Sequence, residues 1–407
     1  MMGVAAQPKV GLFLFAAILF TDVRPAAQQI LQSLGVHRES FPAYIRQIEA
    51  QTEEREREGE NDHLIYYILQ SRQFTNTAPV EPALSAKAFV GSGAMAPVVL
   101  RRFRDFLAAR VTGERMIYFR RLVPASAPLS FLKAEYARAM RSLYTKEFEN
   151  SPNFYQSRGY STDTQVPANY AVWTALSALR RRNPNLVVNR VLVIGPGLDF
   201  APRTSLDDRY PPQSYQPFAV ADALLSLGLS SNPEIHCVDI NDRVIDFFHA
   251  FSRRNPPILY LFSPPGDPDY LAYFKSLGQA IGAVRPDGPL EKQIRVRQSI
   301  ATTITAEKLN VITRHPVDST PSYDLAVATN VLVYFNNAEL LLALSNISSL
   351  LAKGGYLLHN EVRPTMEAYE QAAGLTLVEE RTLRVAMGAK APLYDAFSLL
   401  QKQPPAE

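Results

Sequence analysis

The pattern of apolar and polar residues changes character near residue 183. Before it, apolar residues recur at spacings of three and four, which is typical of amphipathic helices. After it, short continuous apolar runs alternate with helical patterns, which is typical of parallel strands joined by right-handed crossovers. The chain is therefore predicted to have a mainly helical region at residues 28–182 and an α/β domain at residues 183–402, a Rossmann-like doubly wound sheet. The predicted helices of the first region include residues 63–74, 98–107, 131–148 and 170–179.

The apolar runs of the second half predict seven strands. The last two of these runs flank the loop MGAKAP. Two long segments between the predicted strands, residues 201–218 and 253–306, are predicted to be insertions. They either form a cap over the candidate ligand site described below or pack on the helical region. The strands are predicted at residues 189–194, 234–238, 309–313, 323–329, 356–361, 375–385 and 393–400.

An acidic segment and an N-terminal apolar segment can each be interpreted in more than one way. The acidic run at residues 49–62 (EAQTEEREREGEND) is interpreted as a solvated helix end in preference to a binding tail. Near the N-terminus, Lys9, an apolar run at residues 10–20 and the small residues Ala26 and Ala27 have the parts of a signal peptide.

Residues 1–27 are accordingly predicted to be a signal peptide or membrane anchor. The alternative is a buried or membrane-surface helix that stays attached. The first interpretation predicts an exported or membrane-tethered protein with membrane association through its N-terminus, and the second leaves a cytoplasmic location open.

Composition narrows the classes of partner. The 407 residues carry 42 basic and 39 acidic side chains, a formal net charge of +3, which gives no reason to expect a nucleic acid. The single cysteine, Cys237, cannot form an internal disulfide, and no cysteine or histidine spacing predicts a metal site.

Candidate chemistry begins where the first two strands of the sheet end. The first is followed by Gly195-Pro196-Gly197, whose glycines allow a tight turn and close approach to a ligand. The second ends in Asp239, and a carboxylate beside such a turn can accept hydrogen bonds from a ribose diol. The pair predicts a nucleoside site; the alternative is that Asp239 only caps the helix that begins near Asn241.

Three motifs in this order resemble a known family. VLVIGPG at residues 191–197, YDLAVATNVLVYF at 323–335 and LAKGGYLLHNE at 351–361 are similar to motifs of class I S-adenosylmethionine-dependent methyltransferases. The last two are particularly similar to the chemoreceptor glutamate methyltransferase group. The resemblance covers residues 185–402 and implies a seven-stranded sheet whose terminal antiparallel pair distinguishes it from ordinary dinucleotide-binding domains.

The resemblance also implies S-adenosyl-L-methionine as the cofactor and assigns residues to it. Asp239 would hold the ribose, Ile240 would pack on adenine, and Asn330 would lie near the methyl group. The amino group of the methionine moiety would be held by the Gly195 carbonyl region or by Asp199, and its carboxylate by helix N-terminal amides or by Arg203. The full set predicted to bind the cofactor is Gly195, Pro196, Gly197, Asp199, Asp239, Ile240 and Asn330.

The chain also departs from the family pattern. Asp199 stands where family members usually have a third glycine, and no acidic residue follows the predicted third strand, where residues 313–315 are Thr-Arg-His. The sequence therefore assigns no residue after the third strand to the adenine. Tyr334 and Glu361 are the catalytic candidates, for orienting an acceptor; their alternative roles are core packing and a strand-end contact with solvent.

The function implied by the resemblance is methyl transfer to a small-molecule or protein acceptor. One alternative is a non-catalytic binding or assembly module of the same fold in an extracytoplasmic setting, where the cofactor is not supplied. The other is a nicotinamide-dependent oxidoreductase, against which the missing third glycine and the terminal strand pair count.

Overall fold

The structure is a computed structural model that describes residues 15–149, 151, 153–164, 166–199, 210–252, 256–317, 323–387 and 392–403. The helices of this part of the chain are α1 (Pro25–Ser33), α2 (Phe41–Gln70), α3 (Pro82–Ser92), α4 (Pro97–Ala108), α5 (Glu114–Arg120), α6 (Pro128–Phe148), α7 (Ala168–Arg182), α8 (Gln216–Ser226), α9 (Asp242–Ser252), α10 (Pro268–Ser276), α11 (Gln298–Ala301), α12 (Asn337–Leu350) and α13 (Met366–Ala372). The strands are β1 (Phe15–Ala17), β2 (Arg190–Ile194), β3 (Glu234–Asp239), β4 (Ile258–Phe262), β5 (Gly282–Pro286), β6 (Glu291–Val296), β7 (Ile304–Lys308), β8 (Arg314–Pro316), β9 (Tyr323–Ala328), β10 (Leu351–His359), β11 (Leu375–Met387) and β12 (Pro392–Lys402).

A seven-stranded sheet forms the centre of the second half. Its strand order is β11-β12-β10-β9-β2-β3-β7, and β12 runs antiparallel to both of its neighbours. The remaining neighbours, from β10 to β7, are all parallel to one another. The predicted seven-stranded α/β sheet with a C-terminal antiparallel pair is thus confirmed.

Both faces of this sheet are covered. Val191 and Val193 of β2 pack in a core that includes the N-terminal helices and α7. Leu192 and Ile194, which point to the opposite face, pack in a second core with the first described residues and α12. Burial on both faces explains why the strands read as continuous apolar runs instead of alternating ones.

The third strand of the sheet differs from its predicted position. We expected it at residues 309–313, whereas β7 ends at Lys308 and the residues after it form a turn. Leu309, Val311 and Ile312 are apolar because that turn packs into the second core, where each is at most 5% exposed. The apolar run at residues 309–313 correctly indicated buried residues, but the prediction of a strand there was wrong.

Residues 15–27 pack as part of the fold. β1 pairs antiparallel with β8, and Ile18, Phe20, Val23 and Ala27 are buried in the second core. Residues 1–14 lie outside the described part of the chain, and within that part no helix is long and apolar enough to span a bilayer. The signal peptide or anchor at residues 1–27 stays a prediction.

The acidic run at residues 49–62 is not a solvated helix end. It forms the middle of α2, a helix of 30 residues, and Thr52, Gly59, Asn61 and Asp62 within it are buried. The fully buried Asp62 is neutralised by two guanidinium groups, that of Arg138 at 2.9 Å and that of Arg158 at 3.3 Å. The buried charge of Asp62 is therefore paired, which a count of charges along the sequence does not reveal.

The segment predicted to be the second insertion forms a small unit of its own from β4 to β6. Its strands make a three-stranded antiparallel sheet in the order β4-β6-β5. Helix α10 packs against α7 through aromatic rings, with Tyr170 against Tyr270 and Trp173 against Tyr273, each pair 5.7 Å apart between centroids. Within residues 253–306, α10 thus packs on the helical region, whereas residues 304–306 belong to β7 of the central sheet. In the first insertion, residues 201–209 lie outside the described part of the chain, and its end enters α8 at Gln216.

Candidate functional site

A cleft lies at the carboxyl ends of β2, β3, β7 and β9. Its empty space, including the open mouth, is about 920 Å³, and the turns that follow these four strands form its floor. Helix α2 and the segment at residues 160–164 form the opposite wall. Carboxyl ends of parallel strands are the usual place for a ligand in an open α/β sheet.

The glycine turn after β2 brings two parts of the chain together. Gly195 and Gly197 both have φ of +62°, a conformation that residues with a side chain rarely adopt. A Cβ on Gly197 would lie 2.4 Å from the carbonyl oxygen of Thr162. Directly after the turn, the Leu198 N–H donates to that same oxygen at 2.8 Å, and the Thr164 N–H donates to the Leu198 carbonyl at 3.1 Å. The turn therefore serves as a docking point for residues 160–164.

Asp239 lies beside this turn, at the end of β3. Its carboxylate accepts from the Asn241 N–H at 2.9 Å and from the Gly197 N–H at 3.4 Å. Burial raises the pKa of Asp239 to about 6, and the backbone donors, including those of Asn241 and Gly197, offset part of that increase. The first turn of α9 is capped by Asn241, whose side-chain oxygen accepts from the Arg243 N–H at 2.9 Å. Asp239 therefore does more than cap that helix.

Some of the predicted cofactor-binding residues line the cleft and others do not. Gly195, Gly197, Asp239, Ile240 and Asn330 line the cleft, whereas Pro196 does not.

Asp199 also lies away from the cleft lining. Its carboxylate accepts from the Tyr215 hydroxyl, and its backbone carbonyl accepts from Arg115 at 2.8 Å. Arg203, the other candidate for the methionine moiety, lies outside the described residues.

Asn330 has a supported position in the cleft. It is one of the non-glycine residues with positive φ, at +60°, and its N–H donates to the side-chain oxygen of Asn360 at 2.7 Å. The Asn360 amide donates in turn to the Asn330 side-chain oxygen at 2.8 Å and to Asp395 at 3.2 Å. A left-handed conformation held by two reciprocal hydrogen bonds fixes the direction of the Asn330 side chain.

Only one of the two catalytic candidates lines the cleft. Tyr334 lines the cleft and is buried, and burial raises the pKa of its hydroxyl. Glu361 does not line the cleft; it forms an ion pair with Arg363 at 2.8 Å, and Arg363 donates to the carbonyl of Phe335 at 2.9 Å. Glu361 thus reaches the site only through the backbone of the turn that carries Tyr334.

The wall from the N-terminal half was not foreseen from the sequence. Thr52 and Glu56 of α2 line the cleft, and Arg55 between them anchors the helix to the site. The Arg55 guanidinium donates to the carbonyls of Tyr155 at 3.1 Å and Tyr334 at 2.9 Å. The sequence signal that marks this contact is a pair of glycines. A Cβ on Gly59 would lie 1.6 Å from a backbone oxygen, and Gly159 packs directly on Gly59.

The charges of the cleft have one sign. Glu56, Asp163 and Asp239 contribute carboxylates, and no lysine, arginine or histidine is among the described residues that line it. Carboxylates accept hydrogen bonds and attract cations, so the cleft suits a ligand that carries positive charge and hydroxyl donors.

No protein-family model and no curated protein matches the chain. Among solved structures, it is similar to the N-methyltransferase NodS from Bradyrhizobium japonicum in complex with S-adenosyl-L-homocysteine, with 15% identity, 58% of this chain and 89% of that chain covered, and a TM-score of 0.32. It is also similar to the magnesium protoporphyrin IX methyltransferase ChlM from Synechocystis with bound S-adenosylmethionine, with 12% identity, 64% and 97% coverage and a TM-score of 0.32. A third is the 1,6-didemethyltoxoflavin N1-methyltransferase from Burkholderia thailandensis, with 14% identity, 69% and 93% coverage and a TM-score of 0.30.

These likenesses are too distant to bear on the activity. The [4+2]-cyclase SpnF is equally similar, with 10% identity and a TM-score of 0.31. The fold is assigned from the chain's own strand order. The sheet is parallel apart from β12, the last strand in the chain and the second from one edge, and its glycine turn and acidic strand end lie side by side; this is a Rossmann-like doubly wound α/β fold with a terminal antiparallel strand pair.

Proposed function

We propose that the protein transfers a methyl group from S-adenosylmethionine to a small-molecule or protein acceptor. The observation that carries the proposal is Asp239, a buried carboxylate at the end of β3 that contacts the glycine turn inside a cleft lined by carboxylates. The cofactor carries one carboxylate, but its sulfonium and ammonium groups give it a net positive charge, and its ribose diol supplies two hydroxyl donors. The described lining, with three carboxylates and no basic side chain, fits those groups.

Residues of this chain have distinct tasks in the proposed reaction. Asp239 accepts the ribose hydroxyl protons, and Ile240 packs on the adenine. Asn330 lies near the methyl group and Tyr334 orients the acceptor; both residues line the cleft after the end of β9. The cofactor supplies a methyl group already activated by the sulfonium, so the chief tasks of these residues are alignment and exclusion of water.

Cofactor binding by itself separates the alternatives. A nicotinamide-dependent oxidoreductase of this fold would bind a dinucleotide in the same cleft, and a non-catalytic module would bind neither cofactor. Titration calorimetry with S-adenosylhomocysteine and with NADH on the same protein distinguishes all three. A well-folded protein without affinity for S-adenosylhomocysteine contradicts the proposal.

Replacement of Asp239 by alanine tests the residue that carries the proposal. We expect the affinity for S-adenosylhomocysteine to fall about 10- to 100-fold, since a hydrogen bond to a charged group contributes about 1.5–3 kcal/mol. Asp246→Ala, at an exposed position on the adjacent helix α9, is the matched control and should bind like the wild type. Equal affinity of all three proteins would contradict a ribose-binding role for Asp239.

A further inference from the structure

Three side chains of α2 form a stripe that faces the ends of β3 and β7. Thr52, Glu56 and Glu60 are spaced by four residues, so they lie one above the other on one face of the helix. The first and last are tied to the sheet: Thr52 accepts from the Asn310 amide at 3.1 Å, and Glu60 accepts from the Asn241 amide at 3.2 Å. The stripe is therefore held at both ends over the part of the cleft that contains Asp239.

Glu56, in the middle of the stripe, differs from its two neighbours. It lines the cleft, but it makes no hydrogen bond or ion pair with any residue that the structure describes. Glu60, one turn further on, accepts from the Tyr118 hydroxyl at 2.6 Å and from Arg243 at 3.0 Å as well as from Asn241. Of the two carboxylates of the stripe, Glu56 is therefore the one that is available to a ligand in the cleft.

The surroundings of Glu56 destabilise its ionised carboxylate in the absence of a ligand. Burial raises its pKa most, and the carboxylates of Glu60, Asp239 and Asp242 raise it further. Lys308 is the cation that acts against them, and its ammonium group is already bonded to Asp242 at 2.9 Å. A carboxylate that is partly buried among like charges weakens the fold unless a hydrogen-bond donor is supplied from outside.

We propose that Glu56 is a second nucleoside-binding carboxylate, which accepts a hydrogen bond from an O–H or N–H group of the adenosine part of the cofactor. This inference rests on the function proposed above and extends it: the site that recognises the adenosine is built from both halves of the chain. Asp239 comes from the sheet, and Glu56 comes from a helix 183 positions earlier in the sequence. No acidic side chain directly after β7 is available for this role, since Leu309 and Asn310 follow it.

Glu56→Ala tests the proposal, because alanine removes the acceptor without a cost in helix propensity. At pH 8 we expect the affinity for S-adenosylhomocysteine to fall about 10- to 100-fold. The melting temperature of the ligand-free variant should stay equal or rise, since a like-charge repulsion is removed. Glu54→Ala, on the exposed side of α2, is the matched control and should bind as the wild type does. If Glu56→Ala and the wild type bind equally well, the proposal is wrong.

The outcomes also separate this inference from the proposed function. If the wild type does not bind S-adenosylhomocysteine, the proposed function fails; if the wild type and Glu54→Ala bind and Glu56→Ala binds equally well, only the inference about Glu56 fails. Should Glu56→Ala melt at a lower temperature, Glu56→Gln decides, because it keeps the size and one acceptor oxygen. Intermediate affinity of Glu56→Gln at an unchanged melting temperature supports the proposal, and full affinity overturns it.

Ligand analogues identify the donor. With methylthioadenosine, which lacks the amino-acid part, the ratio of the wild-type affinity to that of Glu56→Ala should persist; if the ratio falls to one, Glu56 contacts the amino-acid part and the proposal is overturned. The analogue of S-adenosylhomocysteine with unsubstituted purine in place of adenine lacks the exocyclic amine and gains no new N–H donor. A ratio near one for that ligand identifies the amine as the donor, and a ratio that persists identifies a ribose hydroxyl.

Discussion

At the scale of single residues, close approach between backbones explains the glycines that surround the cleft. Gly197 needs a left-handed conformation and also leaves room for the carbonyl oxygen of Thr162. From the sequence, this glycine was interpreted as leaving room for a ligand. The structure adds that it leaves room for another segment of the same chain.

Gly197→Ala is therefore expected to destabilise the protein for two separable reasons. The left-handed conformation costs an alanine about 1–3 kcal/mol, and the new Cβ also clashes with Thr162. Gly93→Ala is the control for the first effect alone, because Gly93 has φ of +68° and nothing lies within 4 Å of its Cβ position. Urea unfolding of both variants should show the larger loss in unfolding free energy for Gly197→Ala; equal losses would mean that the contact with Thr162 contributes nothing.

The site residues found from the sequence are those whose position follows from strand ends. Asp239 and the glycine turn meet because parallel neighbouring strands end at one edge, and this could be derived without a structure. Asp199 could not be placed in this way, because the chain after the turn pairs with residues 162–164 and carries that side chain towards Tyr215. Glu361 likewise lies beyond the end of β10, where Arg363 occupies its carboxylate.

At the scale of elements, α2 shows the limit of reading charge along a sequence. Its acidic run has the composition of a solvated helix, but Thr52, Glu56 and Glu60 share one face, and that face meets the sheet. Which face of a highly charged helix is buried depends on partners more than 180 residues away, such as Asn241 and Asn310. Composition within the helix contains no information about those partners.

The segment before α1 allows a sharp test of whether it belongs to the folded protein. Phe20 is 7% exposed and packs edge-on against Phe41, whereas Leu19 beside it is 59% exposed. Phe20→Ala should lower the unfolding free energy by about 3–5 kcal/mol, and Leu19→Ala should change it by less than about 0.5 kcal/mol.

Equal and small effects of the two substitutions would show that residues 15–27 do not pack in the mature protein. That outcome would favour the predicted signal peptide, whose removal after Ala27 would take β1 and the start of α1 with it. Mass spectrometry of the protein purified from its own cells would show directly whether this segment is retained.

At the scale of the whole molecule, pH is expected to change the stability of the protein and its affinity for the cofactor in opposite directions. Glu56 has its pKa raised from 4.5 to about 7, so the folded protein holds this proton more tightly than the unfolded chain does. The contribution of Glu56 to stability is therefore full below about pH 4.5 and is lost as the pH rises through about 7. Asp239, with its pKa raised to about 6, acts in the same direction.

The difference in unfolding free energy between Glu56→Ala and the wild type should therefore shift in favour of the variant between pH 5 and pH 8. Urea unfolding of the two ligand-free proteins at both pH values measures it. Over the same range the affinity of the wild type for S-adenosylhomocysteine should rise, because more of the acceptor is ionised. A stability difference that does not change with pH would contradict the raised pKa of Glu56.

The position of β12 has a consequence for how the protein is made. It lies between β10 and β11 in the sheet, yet it follows all six other strands in chain order. Until a ribosome has delivered it, β10 and β11 each present an open edge, and such edges pair readily with other chains. Released chains that are truncated after β11 should therefore depend on chaperones more than the full-length protein does.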